Sequence, residues 1–447
     1  MLSQFITSLM TNAVNIAITP ISHVFGVGVD DGQWLILAYL LALTSFLMLF
    51  GRLGDIFGHR RIFIAGFALM GAADLTCFFA SNFWLLVSLR FVEGVGNGLL
   101  QAVSNAIITE TFPSRERGKA LGFNGAAVAV GWTLGPVIGG AITTFLGWRF
   151  IFFLTLPFTI YGIIASRAVL QRAARRAEGI DVPGAVFASV GLFAFCLGLS
   201  RAHVWGYTSP ATLAALAIAL AAGMIFFTLE RRVRHPILDL TLFDNRVFAF
   251  SVFAAVLYFT SVNAIIITLP IELQVAGQMS GFNAGLALMP LAATIALISP
   301  FAGSLSDRVS ARYLASFGAA VVGIGALALA GVAAQASTLI IALHMVLIGV
   351  GIGFFNQPNN STIMGNAPRD RLGSAGSILA TARSTGGLLG ATLAGAIYFL
   401  RVSQLGPQSV HTTVPAATVY VVVAFFSFTA VAVSHARGRT GKPAPAA

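Results

Sequence analysis

Fourteen stretches of the chain are each apolar over about the length a helix needs to cross a ~30 Å hydrocarbon core. They fall near residues 3–24, 33–53, 61–80, 84–109, 119–144, 149–169, 182–200, 211–230, 247–271, 284–304, 313–333, 338–361, 374–400 and 416–434. The runs lack the apolar–polar alternation of strands, and within lipid a helix satisfies its own backbone groups. The first run is the most polar; no positive n-region precedes it, so it reads as a span and not a signal peptide. Composition supports the same architecture. The 447 residues are 57% hydrophobic and only 9% charged, against about 25% in soluble domains, so most of this surface must meet lipid. The expectation is an all-α polytopic membrane protein.

Charge placement tests the number of spans. The net charge of +11 invites a nucleic-acid reading, but the basic residues are scattered through short loops, a pattern that orients membrane proteins. With fourteen spans and the amino terminus in the cytoplasm, 21 of the 26 Lys and Arg fall on the cytoplasmic side. Arg149, Arg201 and Arg401 fall outside, and Arg90 and Arg383 lie within spans. Removing one central span would reverse every later loop. Both termini are therefore expected in the cytoplasm of a multi-pass protein of the cell (inner or plasma) membrane, with no nucleic-acid partner.

The chemistry of enzymes is missing. Cys77 and Cys196 both sit in apolar runs and read as small buried hydrophobes. No His-Glu-x-x-His pattern, nucleotide-binding loop or nucleophile elbow occurs. No catalytic residue, metal or cofactor is expected.

The sequence repeats itself. Gly51-x-Leu53-x-Asp55 returns at Gly303-x-Leu305-x-Asp307, 252 residues later. Gly131, Gly135, Gly140, Ala141 and Ile142 return as Gly386, Gly390, Gly395, Ala396 and Ile397, at an offset of 255. Two six-helix bundles are the simplest account: residues 1–170 and 245–435, separated by two additional helices with basic linkers over 171–244. A disordered cytoplasmic tail is expected over 436–447.

Several stretches carry mechanism. In Gly51–Arg61 glycines permit a tight reversal, and Asp55 with Arg52, Arg60 and Arg61 can form a charge network at the membrane surface. In the fifth span Gly131, Gly135 and Gly139 line one helix face, allowing close approach of another helix; Pro136 removes a helical hydrogen bond and bends the helix. This reads as a hinge between bundles. In the fourth span Arg90, Glu93, Asn97, Gln101 and Ser104 form one stripe, which should face a water-filled interior. Arg90 and Glu93, three apart, can pair. Glu93 is either a proton carrier or a permanently ionised partner of Arg90. Asp74 is either a proton site or the partner of a neighbouring donor. Ser8, Asn12, Asn15 and Thr19 share one face of the first span.

Other groups are less committed. Glu272 reads as a water-exposed rim carboxylate near the outer end of its span, or as a group meeting substrate or protons. His344 is either titratable or a packing histidine. Arg383 should point inward, to hold anions or to pair with an acid. Trp132, Tyr258, Phe259, Phe354 and Phe355, beside Asn263, Asn356 and Gln357, are cavity candidates, since apolar walls with few polar anchors suit amphipathic organic molecules.

These motifs resemble the major facilitator superfamily. The Gly51–Arg61 loop is similar to that family's signature, with Ile56 and His59 where basic residues are common. The Gly131–Gly140 run resembles the motif of its antiporters. Gln33-Trp34 with Ala38-Tyr39-Leu40, Gly147 through Phe153, Pro236 through Leu240, Leu269-Pro270 and Arg383 through Gly390 resemble the fourteen-helix drug:proton antiporters, over nearly the whole chain. The resemblance implies a monomeric transporter that exports small amphipathic compounds in exchange for protons by alternating access. It links an arginine at the position of Arg90 to proton movement, and Gly51, Asp55, Gly58, Arg60, Arg61 and Asp307 to gating. In two places the chain departs from the pattern: Glu93 stands where Gln is frequent, and the first span lacks the usual aspartate. A symporter or uniporter importing a small solute is the alternative.

Overall fold

The computed structural model describes residues 2–111, 114–170, 182–233, 240–306, 308–332, 337–368 and 372–437. Fourteen helices of 20 residues or more occupy them: α1 (Leu2–Phe25), α2 (Trp34–Phe57), α3 (His59–Phe78), α4 (Phe83–Thr111), α5 (Ser114–Phe145), α6 (Arg149–Val169), α7 (Val182–Trp205), α8 (Pro210–Glu230), α9 (Arg246–Val275), α10 (Gly281–Leu305), α11 (Ala311–Ala330), α12 (Thr338–Gly365), α13 (Leu372–Leu405) and α14 (Val414–Ala436). Each coincides with one apolar run. Eleven are long and apolar enough throughout to cross a membrane; α2, α5 and α7 hold shorter apolar segments at 34–47, 130–145 and 183–199.

Local chemistry sets the ends. The side chains of Asn245, Ser280 and Ser337 accept from backbone N–H groups in the first turns of α9, α10 and α12, the usual cap for unsatisfied donors. Gly58 alone separates α2 from α3. Its φ of +89° is strained for any residue with a Cβ, so the reversal is made at this one position.

Pairing of the helices shows the repeat. In the first half α1 packs on α5 and α6, α2 on α4, and α3 on α4 and α6; α9–α14 repeat the same set of pairs. The equivalence holds residue by residue. A Cβ on Gly96 would approach Met70 N and Gly66 O, and one on Gly351 would approach Val322 N and Gly318 O. Gly94 faces Tyr39 and Ala42, and Gly349 faces Leu291 and Thr294. Gly135 sits on Leu9 and Asn12, and Gly390 on Thr260 and Asn263. Close backbone approach at small residues is how helices associate in lipid, where tails compete equally for apolar side chains.

The halves meet along α5–α10 and α2–α13, the two contacts exchanged by the repeat. The α7–α8 hairpin lies against α2 and α13, and the Ser189 hydroxyl donates to the Ser45 carbonyl. It therefore covers one seam between the halves. The linkers at 171–181 and 234–239, with Pro236 through Asp239, lie outside the described residues, as does the tail from 438.

Candidate functional site

The first half encloses an ionic cluster. Arg90 Nη1 lies 2.5 Å from Glu93 Oε2, and Arg90 Nε donates to the Leu35 carbonyl at 3.1 Å. The guanidinium stands over the Tyr39 ring at 4.4 Å. Asp74, on α3, accepts the Thr155 hydroxyl of α6 at 2.5 Å, while its Oδ1 has no partner among the described residues. Arg90, Glu93, Asn97 and Asp74 are at most 2% exposed. The stripe on α4 was expected to face a water-filled interior; instead its first three residues are sealed inside the bundle. Backbone carbonyl, aromatic face and carboxylate engage Arg90 without solvent and offset part of the cost of burying the charge, although its Nη2 has no partner among the described residues. Arg90 balances one of the two buried carboxyls, Glu93, while Asp74 is held by the Thr155 hydroxyl.

Sequence reasoning named Asn97 but missed Thr7, Thr11 and the part of Tyr39 in connecting this cluster to α1. Asn97 donates to the Tyr39 hydroxyl and accepts from the Thr7 hydroxyl at 2.8 Å. The Thr11 hydroxyl meets Tyr39 Oη at 3.3 Å. Thr7 and Thr11 are four residues apart, on one face of α1; the spacing was visible, but not which neighbour it addressed. The adjoining face of α1 carries Asn12 and Asn15 into a cleft between the halves, lined also by Ile16, Trp132 and Pro136 from the first half. Ile266, Pro270, Leu288, Leu291 and Ala292 line it from the second. Asn12 Nδ2 donates to the Ser8 carbonyl, whereas Asn15 Oδ1 has no partner within the protein.

The cleft is sealed on the side away from the termini. A Cβ on Gly140 would collide with the Gly281 carbonyl, and one on Gly285 with the Pro136 carbonyl. Gln274 Nε2 donates to the Ile16 carbonyl at 3.0 Å, and the Phe282 amide to the Thr144 hydroxyl at 3.3 Å. Toward mid-depth, the Thr44 hydroxyl donates to the Ser384 carbonyl at 3.3 Å.

The hinge expectation needs correction. Gly131, Gly135 and Gly139 do share a face, but it packs on Phe5, Ser8, Leu9, Asn12 and Ala13 of α1, in the same half. The contact between halves is made by the neighbouring face, through Pro136 and Gly140. Spacing identifies a close-packing face without naming its partner. In the gating loop, Gly54 packs beneath Val103 and His59, while nothing lies within 4 Å of a Cβ on Gly51. Arg60 Nη2 donates to the Arg167 carbonyl at the end of α6, 2.7 Å away, where the helix carries partial negative charge; Arg61 is exposed. Asp307 and the side chains of Arg52 and Asp55 lie outside the described residues.

Several candidates fall elsewhere than expected. Tyr258 and Phe355 are not cavity walls: they are fully buried and stacked at 3.7 Å in the core of the second half, and Phe354 meets Phe301 and Phe317 edge-on. Glu272 is not on a water-exposed rim; it is buried and accepts the Tyr420 hydroxyl at 2.7 Å. His344 Nδ1 lies 2.7 Å from its own helix's Ile340 carbonyl, a packing role. Gln101 and Asn356 are half-buried, each with an unpartnered side-chain oxygen. Phe259 and Asn263 are half-buried, and the Arg383 guanidinium stands 5.5 Å from the Phe259 ring centroid. Just beyond α14, Arg437 Nη1 donates to Ser251 and Asn359; burial, with Arg312 nearby, pushes this guanidinium down to about 10. Among the described residues no group of His, Cys, Asp and Glu could hold a metal.

The sequence profile of the Major Facilitator Superfamily matches residues 1–391. A riboflavin transporter of Clostridioides difficile (strain 630) is 31% identical over 86% of this chain and 84% of its own length. A multidrug resistance protein of Mycobacterium tuberculosis is 28% identical over 89% of this chain and 74% of its own. The tetracenomycin C resistance and export protein of Streptomyces glaucescens is 28% identical over 90% and 75%.

Proposed function

Because the chain belongs to the major facilitator superfamily, a family of transporters and not of enzymes, we propose that it is a proton-coupled exporter of small amphipathic organic compounds in the cell membrane. One observation carries the reading: a buried ionic cluster and an interior cleft lie against adjoining faces of the same helix, α1. Protonation of Asp74–Glu93 alters what Arg90, Tyr39 and Asn97 demand, and Thr7 and Thr11 pass that demand to the helix bearing Asn12 and Asn15. The cleft is closed on the side away from the termini. With the termini in the cytoplasm, this is the state that loads substrate from inside. Parting Gly140 from Gly281 and Pro136 from Gly285 would open it outward as the halves rock.

An inward proton then drives an outward substrate. For a neutral substrate the membrane potential contributes ~2.3 kcal/mol per charge per 100 mV. Asp55, Arg60, Arg61 and Asp307 steady one of the two states at the terminus side. On this reading Asp55→Asn slows turnover and leaves substrate affinity nearly unchanged. One chain supplies both halves and works as a monomer.

The deciding experiment is flux in proteoliposomes under an imposed pH gradient. Expulsion driven by the gradient, lost in Glu93→Gln, supports the proposal; gradient-driven expulsion that survives in Glu93→Gln removes Glu93 from the coupling. The second reading is import of a small solute. It is favoured by the absence of any acid in α1, and by similarity to a protein named for riboflavin transport. Gradient-driven accumulation would establish it.

A further inference from the structure

We propose that the cleft selects organic anions, with Arg383 as the anchor for a carboxylate or comparable acidic group on an aromatic body. This rests on the cleft being the substrate site. Arg383 lies eleven residues into α13, ~16 Å from its start at 1.5 Å per residue, yet its side chain is exposed. At that depth exposure means access to interior space between helices. The adjacent Ser384 carbonyl meets Thr44 of the other half, and the guanidinium stands over Phe259, so Arg383 is at the meeting of the halves. Phe259, Asn263, Ile266 and Pro270 fall at steps of 4, 3 and 4, one stripe of α9. Ile266 and Pro270 line the cleft with Asn12, Asn15 and Trp132. One stripe of α9 therefore leads from Phe259, beneath the cation, to Ile266 and Pro270, which line the cleft.

Among the described residues no acid is paired with Arg383. Only Asp74, Glu93 and Glu272 lie deep within the spans by sequence. The first two are committed to Arg90 and Thr155, and Glu272 to Tyr420. The repeat isolates the feature further, because the residue equivalent to Arg383 in α5 is Val128. A fixed positive charge in a cleft of otherwise neutral walls attracts anions and repels cations, more strongly than it would in bulk water. It also affects energetics: an anion leaving and a proton arriving carry charge in the same direction, so inside-negative potential accelerates export of an anion.

The test uses the full-length purified protein and three probes with one ring system: 2-naphthoate, 2-naphthamide and 2-naphthylmethylammonium. Binding is measured by calorimetry for wild type, Arg383→Gln and Arg383→Lys. The naphthoate should bind tightest, by about tenfold or more over the amide, the gain of one charge-assisted hydrogen bond, and the cation weakest. Arg383→Gln should abolish the gap, and Arg383→Lys should keep part of it. The proposal is overturned if the amide or cation binds as tightly as the naphthoate, if no probe binds, or if Arg383→Gln preserves the gap. Vesicle flux is read separately. Anion preference without pH-driven flux would remove proton-coupled export and leave the anion site standing.

Discussion

Thr7 donates its hydroxyl to the Asn97 side-chain oxygen at 2.8 Å, joining the first helix to the helix that carries the buried ion pair. Both residues are buried, and Asn97 is engaged on its other side by Tyr39. Tyr39 in turn lies under Arg90. A change of charge at Glu93 therefore has a physical route of contact to α1, and α1 is the wall of the cleft.

If that route carries coupling, Asn97→Leu or Thr7→Val should weaken pH-driven flux about fivefold or more, within the usual range of coupling energies. Removing one partner also leaves the other unsatisfied, at a stability cost of ~1–3 kcal/mol. Substrate binding to the detergent-purified protein at fixed pH should stay within about twofold, well under 1 kcal/mol. Flux and binding measured on the same preparation separate these effects. Equal loss of both would mean that the bond merely holds α1 in place.

The repeat supplies its own control for the ionic cluster. At offsets of 255 and 252, the second half places Met345, Ile348 and Ala326 where the first has Arg90, Glu93 and Asp74, and all three are buried. Breaking the pair with Arg90→Ala should destabilise by ~3–5 kcal/mol, because an uncompensated charge is left behind. The triple change Arg90→Met, Glu93→Ile, Asp74→Ala copies the apolar solution and should unfold at a temperature nearer to wild type. It should transport nothing in response to a pH gradient. Retained pH-driven transport in that triple variant would assign the proton to another group.

Lipid made the helices legible. A span must be apolar for most of its length, so run lengths placed all fourteen, and the offsets at Gly51–Asp55 and Gly131–Ile142 exposed the repeat before any contact was seen. Spacing also put Arg90, Glu93 and Asn97 on one face. Neighbours were what spacing could not supply. The glycine face of α5 reads the same whether it packs on α1 or across the seam, and Gly135 meets Asn12. Tyr258 and Phe259 are adjacent in sequence, yet one stacks in a core on Phe355 and the other stands beside Arg383. Glu272 looked like a rim group because it lies near a helix end; the Tyr420 hydroxyl that receives it comes from 148 residues away.

Glu272 and Tyr420 yield a stability prediction. The carboxyl is buried and the Tyr420 hydroxyl is its donor. Tyr420→Phe leaves that carboxyl without this bond and should cost ~1–3 kcal/mol. Glu272→Gln keeps an oxygen to accept from Tyr420 and should be close to wild type in thermal unfolding, with pH-driven flux intact. Lost flux in a well-folded Glu272→Gln protein would bring this carboxyl into the proton path.

The seal on the side away from the termini depends on the absence of side chains. Gly140 and Gly281 bring α5 and α10 into backbone contact, and Pro136 meets Gly285 one turn deeper. Gly140→Val puts two methyl groups where the Gly281 carbonyl now lies, and overpacking of this kind costs ~1–3 kcal/mol. The cost falls on the sealed state alone, since parting the helices relieves it, so the population should move about tenfold toward the form open on that side. Asn15→Cys, in the cleft, reports the change. Its modification by a membrane-impermeant maleimide added from that side should rise about tenfold on the Gly140→Val background. Cys77 and Cys196 are at most 1% exposed and contribute little background. An unchanged labelling rate in a correctly folded double variant would show that Gly140 and Gly281 do not set the closed state.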